Sequence, residues 1–356
     1  MKLTHIIEAT ATGTLSMAAL LANAQSRAGH DVHMIYSIRP ESPKDFLYLF
    51  DPKIKLYQVQ MNSHFEKLQS IPKIRKILKS IRPNKVFLHS SFAGFLGRIS
   101  ALFLLKDTGF LYIPHCISFM RKDIGSIKKA LFVLLEWIGS LKKSDYIACS
   151  KSEQTAIHEF IPFRICHLVE NALDFASGAA ITPVKERKNS IITVGQIRPQ
   201  KGPYRFSEIA HLVHGTHPET TFIWVGDGDF QARRKLELSG VIVTGWRSKA
   251  EIWELLENAR LYLSTSLWEG MPVSVIEANF AGLPVIASNC PGNIDVVENG
   301  KTGWLFETSE EAANLIRACL ESPAYSEEIS DRALSLAKKR FNLDRYLKDM
   351  DELINS

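Results

Sequence analysis

Ser266-Leu267-Trp268-Glu269-Gly270-Met271-Pro272-Val273-Ser274-Val275-Ile276-Glu277 is the stretch that decides how this chain is read. It follows the apolar run Leu261-Tyr262-Leu263, which reads as a buried parallel strand, and it runs into an apolar helix from Val273 to Ala281. Gly270 permits a tight turn, and Pro272 suits the first helical position. Gly270, Met271, Pro272 and Val273 therefore open a helix N-terminus onto a strand-to-helix crevice. Backbone N–H groups and the helix dipole make such a spot attractive to a phosphate. Two carboxylates flank it. Glu269, in the loop, is better suited to sugar hydroxyls than to an anion. Glu277, more than one turn into the helix, is placed to reach a ribose hydroxyl. Two Glu at this spacing are weak evidence alone. The order strand, Ser, Glu-Gly-x-Pro, helix, Gly-x-Pro, strand is far more specific.

That order resembles the donor-binding motif of the family 4 retaining glycosyltransferases, which have the GT-B fold. The similarity runs from Ser266 through Leu283-Pro284-Val285-Ile286-Ala287-Ser288 to Gly303. It is strong over 191–306 and looser over 1–170. The resemblance implies an α/β chain of two doubly wound, Rossmann-like domains facing across a cleft. Residues 1–172 would bind the acceptor, 173–338 the nucleotide sugar, and 339–356 would form a helix returning to the first domain.

Size and composition agree with such a plan. The chain has 356 residues, natural for two domains, with 46% hydrophobic and 23% charged residues. No run approaches the roughly 20 apolar residues of a membrane helix. The N-terminus does not read as a signal peptide, because His5, Glu8 and four Thr interrupt its apolar region. The five cysteines (116, 149, 166, 290 and 319) are odd in number and lack CxxC spacing, so free thiols in a reducing cytoplasm are expected. The net charge of +5 is uneven. Residues 1–170 hold 23 Lys and Arg against 13 Asp and Glu, a net +10, and the remainder holds 20 against 25, a net −5. A basic first half suggests an anionic partner. No nucleic-acid motif is present, whereas an inner-membrane surface or a lipid diphosphate fits the charge.

The first half opens as strand, small-residue loop, helix, strand: 2–8, then Ala9 to Thr14, Leu15 to Ala28, and Val32 to Tyr36. This is the start of a doubly wound sheet. Its loop has only Gly13 and lacks the three-glycine dinucleotide fingerprint. In the resembling family the equivalent loop approaches acceptor and donor phosphate. Further strands end at His89, at His115 and at Ser150, the edge of a parallel sheet where ligands bind. Any one histidine is more often structural than catalytic. Three polar strand ends at one crevice are harder to dismiss. The resemblance supports His115 most, although Cys116 stands where Gly is usual. Residues 66–85 and 128–143 read as basic or base-flanked helices. A solvated helix is the plainer reading of the first, and a helix resting on anionic lipid the sharper one.

A junction at Val169 to Asp174 leads into a linker or surface loop from Ser177 to Asn189. The second half begins with a strand and the loop Gly195-Gln196-Ile197-Arg198-Pro199-Gln200-Lys201-Gly202. A Lys and an Arg before a helix N-terminus make a plausible diphosphate clamp. Lys201 matches the family's Gly-Arg-x-x-x-x-Lys-Gly pattern, but Gln196 occupies the Arg position. Either Arg198 reaches the same phosphate from a shifted start, which we favour, or Lys201 carries more of the charge. Gly226 lies in a Gly-rich turn that plausibly lines the nucleotide pocket, and Gly245 ends the strand 241–246, where the family reads the base.

The resemblance implies retaining transfer of a sugar from a nucleoside diphosphate, UDP- or dTDP-linked rather than GDP-linked, to a hydroxyl. The acceptor would be a glycan or a polyprenyl-diphosphate-linked glycan for a bacterial surface polysaccharide. Arg198, Lys201 and the helix N-terminus would stabilise the leaving diphosphate. Glu269 would hold the donor sugar, His115 would contact the sugar or the developing charge, and the departing phosphate would take the acceptor's proton. No Asp-x-Asp motif follows a strand in the first half, so neither a metal nor another cofactor is expected. Alternatives are a nucleotide-sugar epimerase or glycoside phosphorylase of the same fold, a dinucleotide oxidoreductase, and a non-catalytic sugar-nucleotide binder.

Overall fold

The computed structural model describes residues 1–43, 45–175, 183 and 186–355. Most of the expected linker, Ser177 to Asn189, lies outside the described residues. Contacts divide the chain into two units, Met1–Asn171 with Tyr346 onward, and Ala172–Arg345.

The first unit is built on seven strands among the described residues: β1 Lys2–Ile7, β2 Asp31–Tyr36, β3 Lys55–Gln58, β4 Lys85–His89, β5 Gly109–Ile113, β6 Asp145–Ala148 and β7 Cys166–Leu168. Their order is β3-β2-β1-β4-β5-β6-β7, and each recorded pairing is parallel. Helices α1 Thr12–Arg27, α2 His64–Ile81, α3 Ser91–Ser100, α4 Ser126–Gly139 and α5 Lys151–Phe160 make the crossovers. Helices on both faces explain the continuous apolar strands: Val86, Phe87 and Leu88 are wholly buried. The strand order reverses between β1 and β4, and the carboxyl edge at such a point is where an open α/β sheet takes ligands.

The second unit repeats the scheme with β8 Ser190–Val194, β9 Thr221–Val225, β10 Ile242–Val243, β11 Leu261–Ser264, β12 Val285–Ser288 and β13 Trp304–Phe306, in the order β10-β9-β8-β11-β12-β13. Its helices are α6 Pro203–His214, α7 Phe230–Leu238, α8 Lys249–Asn258, α9 Val273–Phe280, α10 Asn293–Val296, α11 Ser309–Glu321 and α12 Pro323–Arg340. The last helix, α13 Leu343–Asn355, belongs from Tyr346 to the first unit. Trp224, Phe206 and Phe222 centre the core of the second unit, with Phe206 edge-on to both partners. Here the order reverses between β8 and β11.

Several boundaries differ from expectation. α1 starts at Thr12, so Gly13 lies in its first turn rather than in an open loop. α2 runs through Pro72, which removes one backbone donor. A reciprocal Ser63–Glu66 capping box and the buried stripe Ile74, Leu78 and Ile81 hold it together. Its basic residues line the outer face, and Arg75 turns back to the carbonyls of Ser100 and Leu102. β10 is two residues long, because Gly245 turns the chain at φ 73°. Pro272 is the N-cap of α9, not its first residue. Gly270 has no positive φ, so its turn does not demand glycine. No helix among the described residues is long and apolar enough to cross a membrane.

Candidate functional site

At the carboxyl end of β11 the chain continues as a buried loop, Thr265 to Pro272, into α9. Glu269 is only 6% exposed. Its Oε1 lies 2.7 Å from Lys201 Nζ and accepts from Ser266 Oγ at 2.7 Å, while Oε2 accepts from Gln200 Nε2 at 3.1 Å. The two residues assigned to sugar and to diphosphate thus form one ion pair. An ammonium has three N–H directions, so Lys201 can hold Glu269 and still donate to a second anion.

Two glycines make this contact possible. Gly202 sits at φ 62°, and a Cβ there would lie 2.2 Å from the Thr265 carbonyl oxygen. Only glycine lets the Lys201 loop close onto the end of β11, where Thr265 Oγ1 donates to the Lys201 carbonyl at 2.8 Å. Gly292, at φ 87°, leaves no room for a Cβ against Glu269, whose N–H donates to the Pro291 carbonyl at 2.9 Å. Beneath the loop Asn293 Nδ2 donates to the Ser288 carbonyl at 3.0 Å and to Ser264 Oγ at 3.2 Å, and Ser288 Oγ donates to the Ser266 carbonyl. Sequence reading gave no role to 291–293 or to Gln200. Gln200 directly precedes Lys201, and 291–293 follow Ser288 within a few residues, which was the available signal.

Glu277 is part-exposed, and its carboxylate has no hydrogen-bond partner among the described residues. Burial pushes it up to about 7, opposed by the positive charges of Lys249 and Lys201. An unpaired carboxylate with a perturbed pKa beside a lysine is a candidate functional position. Pro272 provides no side-chain cap; Val275 N–H and Ile276 N–H donate to its carbonyl at 3.1 and 3.2 Å, so the N–H groups of Val273 and Ser274, which follow buried Met271, are the first-turn donors left for a ligand. Arg198 is exposed, and its guanidinium has no partner among the described residues. Gln196 is likewise part-exposed in the same loop. Gly195 and Gly226 serve close chain packing: a Cβ on Gly226 would lie 2.2 Å from the Gly195 carbonyl oxygen. Gly226 and Gly245 bridge each other.

In the first unit the predicted residues fall differently. Ser150 is wholly buried, and its hydroxyl caps α5 by accepting from Glu153 N at 3.1 Å, so it offers nothing to an acceptor. His89 is also wholly buried. Its Nδ1 lies 3.1 Å from His115 Nε2, and its Nε2 lies 3.0 Å from Nδ1 of His5, a residue sequence reading passed over inside β1. Of the three polar strand ends only His115 is part-exposed. His115 has φ 58° and Cys116 φ 114°, two non-glycine residues in the left-handed region. Such backbone costs of order 1–3 kcal/mol per residue and persists where its surroundings over-determine it. The restraint is Glu153, fully buried, whose Oε1 accepts from Cys116 N and Ile117 N, both at 2.8 Å, and whose Oε2 accepts from Cys149 N at 2.9 Å. Burial raises the Glu153 pKa, and these donors oppose that rise. Gly13 makes no left-handed turn. Buried Glu8, just beyond β1, pairs with part-exposed Arg39, and Ser90 Oγ donates to Glu8 Oε2 at 3.5 Å.

Comparison with known proteins bears on the family and the fold. The model "Glycosyltransferase Family 4" matches residues 12–177, and "Glycosyl transferases group 1" matches 178–335. The chain is 29% identical over 268 residues to a UDP-Gal:α-D-GlcNAc-diphosphoundecaprenol α-1,3-galactosyltransferase of Escherichia coli, covering 68% of this chain and 67% of that protein. It is 27% identical to an uncharacterized 41.2 kDa protein of the cps region of Klebsiella pneumoniae, over 89% of each. Among solved structures, HepE of Anabaena in complex with UDP and glucose superposes with a TM-score of 0.80 at 20% identity, over 100% of both chains. The lipopolysaccharide outer core galactosyltransferase WaaB does so at 0.72 and 18%, over 100% of this chain and 99% of that one. Likeness over the whole chain at these scores shows the GT-B fold.

Proposed function

Because this chain belongs to the family 4, group 1 glycosyltransferases, we propose that it moves a hexosyl unit from a UDP-sugar to a hydroxyl of a lipid-diphosphate-linked glycan, with retention at the anomeric carbon. The observation that carries this reading is the pairing of Lys201 with Glu269 ahead of the N-terminus of α9, with unpartnered Glu277 further along the same helix. Breaking the anomeric C–O bond leaves charge on the β-phosphate. Lys201, exposed Arg198 and the N–H groups of Val273 and Ser274 at the start of α9 are the donors available to it, and one well-placed donor contributes about 3–4 kcal/mol of barrier. Glu269 keeps acceptor capacity on Oε2 for a sugar hydroxyl. Glu277 accepts from the ribose. The leaving phosphate takes the proton of the incoming hydroxyl on the same face, and no divalent cation is needed because the chain supplies the positive charge.

UDP is favoured because the Escherichia coli relative is named for UDP-Gal and the Anabaena structure holds UDP. The named acceptor of that relative, the basic first unit and the Klebsiella relative's cps region support a lipid-linked acceptor in surface-polysaccharide synthesis. The protein would act in the cytoplasm at the inner face of the membrane. Exposed Ile127, Leu131, Leu134 and Trp137 on α4, near Lys128 and Lys129, are the apolar and basic groups that would meet it.

The test is transfer from a panel of UDP-, dTDP- and GDP-sugars to a synthetic lipid-diphosphate N-acetylhexosamine, with and without EDTA. We expect an α-linked product from an α-configured UDP-sugar, and turnover unchanged by EDTA. Neither transfer nor nucleotide release with any donor would overturn the enzyme reading, and an inverted product would overturn retention.

A further inference from the structure

We propose that His5, His89 and Gln25 are positioning residues that fix the tautomer of His115, so that its Nδ1 is held as a bare hydrogen-bond acceptor. This rests on the reading above for what His115 faces, but not for the tautomer itself. The three imidazoles form one stacked, hydrogen-bonded row. Ring centroids of His5 and His89 are 5.3 Å apart at 11°, and those of His89 and His115 5.4 Å apart at 14°. Phe87 stacks on His5 at 4.7 Å and 9°. The links are His115 Nε2 to His89 Nδ1 at 3.1 Å, His89 Nε2 to His5 Nδ1 at 3.0 Å, and His5 Nε2 to Gln25 Oε1 at 2.7 Å.

Burial holds all three rings neutral. It pushes His5 and His115 down to about 4 and His89 well below the usual histidine range. A neutral imidazole has one N–H and one lone pair. Each nitrogen-to-nitrogen link needs one donor, so the N–H groups of the row must all point the same way. The direction is therefore set at its closed end. There the carbonyl oxygen of Gln25 faces His5 and accepts. His5 is then the Nε2–H form, His89 must donate from Nε2, and His115 must donate from Nε2 as well. His115 Nδ1 is left with its lone pair and no partner among the described residues, at the part-exposed end of the row. A hydroxyl arriving there meets an acceptor, never a donor. The opposite polarity requires the Gln25 amide to turn round. That turn would move the carbonyl oxygen to the place of buried Nε2, where no hydrogen-bond partner lies among the described residues.

The same row explains the backbone. His115 lies past the end of β5 at φ 58°, and Glu153 clamps the two N–H groups that follow it. The ring is thus aimed from its backbone side by a carboxylate and from its Nε2 side by His89.

The test is long-range nitrogen-15 NMR of histidine-labelled protein, with His115 assigned from the spectrum of His115→Gln. We expect wild-type His115 as the Nε2–H form. His5→Phe preserves the stack on Phe87 but removes the acceptor for His89. It should give mixed tautomers at His115 and lower kcat for transfer about 10-fold, with donor KM within 2-fold. Gln25→Glu, which when ionised only accepts, should keep the His115 tautomer. Gln25→Leu repeats the His5 experiment from the row's end should His5→Phe fail to fold. Wild-type His115 protonated at Nδ1, or variants whose melting temperature shifts while tautomer and kcat do not, would overturn the proposal. Wild-type protein with the expected tautomer but no transferase activity would instead overturn the functional reading.

Discussion

The β11–α9 loop of the second unit and the β5 loop of the first lie at equivalent carboxyl edges, yet they are held in opposite ways. Around Glu269 the chemistry is ionic and the backbone relaxed. Gly202 and Gly292 occupy the positions where a side chain will not fit, and a hydroxyl and amide network from Ser264, Ser288 and Asn293 supports the loop. Around His115 the chemistry is neutral and the backbone strained, with His115 and Cys116 forced into left-handed conformations by one buried carboxylate. A departing diphosphate needs fixed positive charge. A hydroxyl needs a lone pair at a defined position. On the function proposed above, the first loop supplies the one and the second the other.

The largest expected effect breaks the ionic side. Lys201→Met removes a charge from the leaving group and leaves Glu269 buried without its partner. Steady-state kinetics should show a loss of about 10²–10³ in kcat/KM, the value of one well-placed donor. Denaturant unfolding should show a loss of about 3 kcal/mol, as when half of a buried pair is removed. Adding Glu269→Gln should recover stability but not activity. Stability that stays low in the double variant would mean that the loop, not the charge, was damaged.

Glu277 gives a pH-dependent effect. Its folded-state pKa is raised to about 7, above the ordinary value of 4.5. The protonated form is therefore favoured by folding. The stability that protonation contributes is fully present below 4.5 and is lost as pH rises through about 7. Glu277→Gln should raise stability at pH 8 by about 1 kcal/mol, discounted for partial exposure, and change it little at pH 4. It should also raise the donor KM at pH 8, since a carboxylate is lost. A stability gain that is the same at both values would refute the assignment.

The smallest effect sharpens the strained side. Cys116 holds φ 114°, where an L side chain is disfavoured and glycine is not. Cys116→Gly should stabilise the folded protein by about 1 kcal/mol, read as a higher melting temperature, with His115 still in its row. Destabilisation would show that the cysteine's contacts outweigh the backbone term.

Much of this was legible before any coordinates. The alternation of apolar strands and helices announced a doubly wound architecture, because parallel strands covered on both faces must be apolar throughout. The Glu-Gly-x-Pro loop and Lys201 marked the candidate donor side, because anion sites at helix N-termini use few residues close together in sequence. Three features were not legible. The pairing of Lys201 with Glu269 joins residues 68 apart in number, brought together by β8 lying beside β11. Ser150 reads as a polar strand end but is spent on capping α5. His5 sits in the middle of a strand, where a histidine is ordinarily a core residue, and only the pairing of β1 with β4 sets it beside His89.

Local spacing thus determined the elements, the phosphate-ready helix and the candidate carboxylates, because those properties depend on residues within a few turns of one another. Which charges neutralise each other, which hydroxyls are already used and which way a buried row of histidines points were decided by tertiary structure alone. Hydrogen bonds and ion pairs act over about 3 Å, and only the packing of distant strands brings their partners that close.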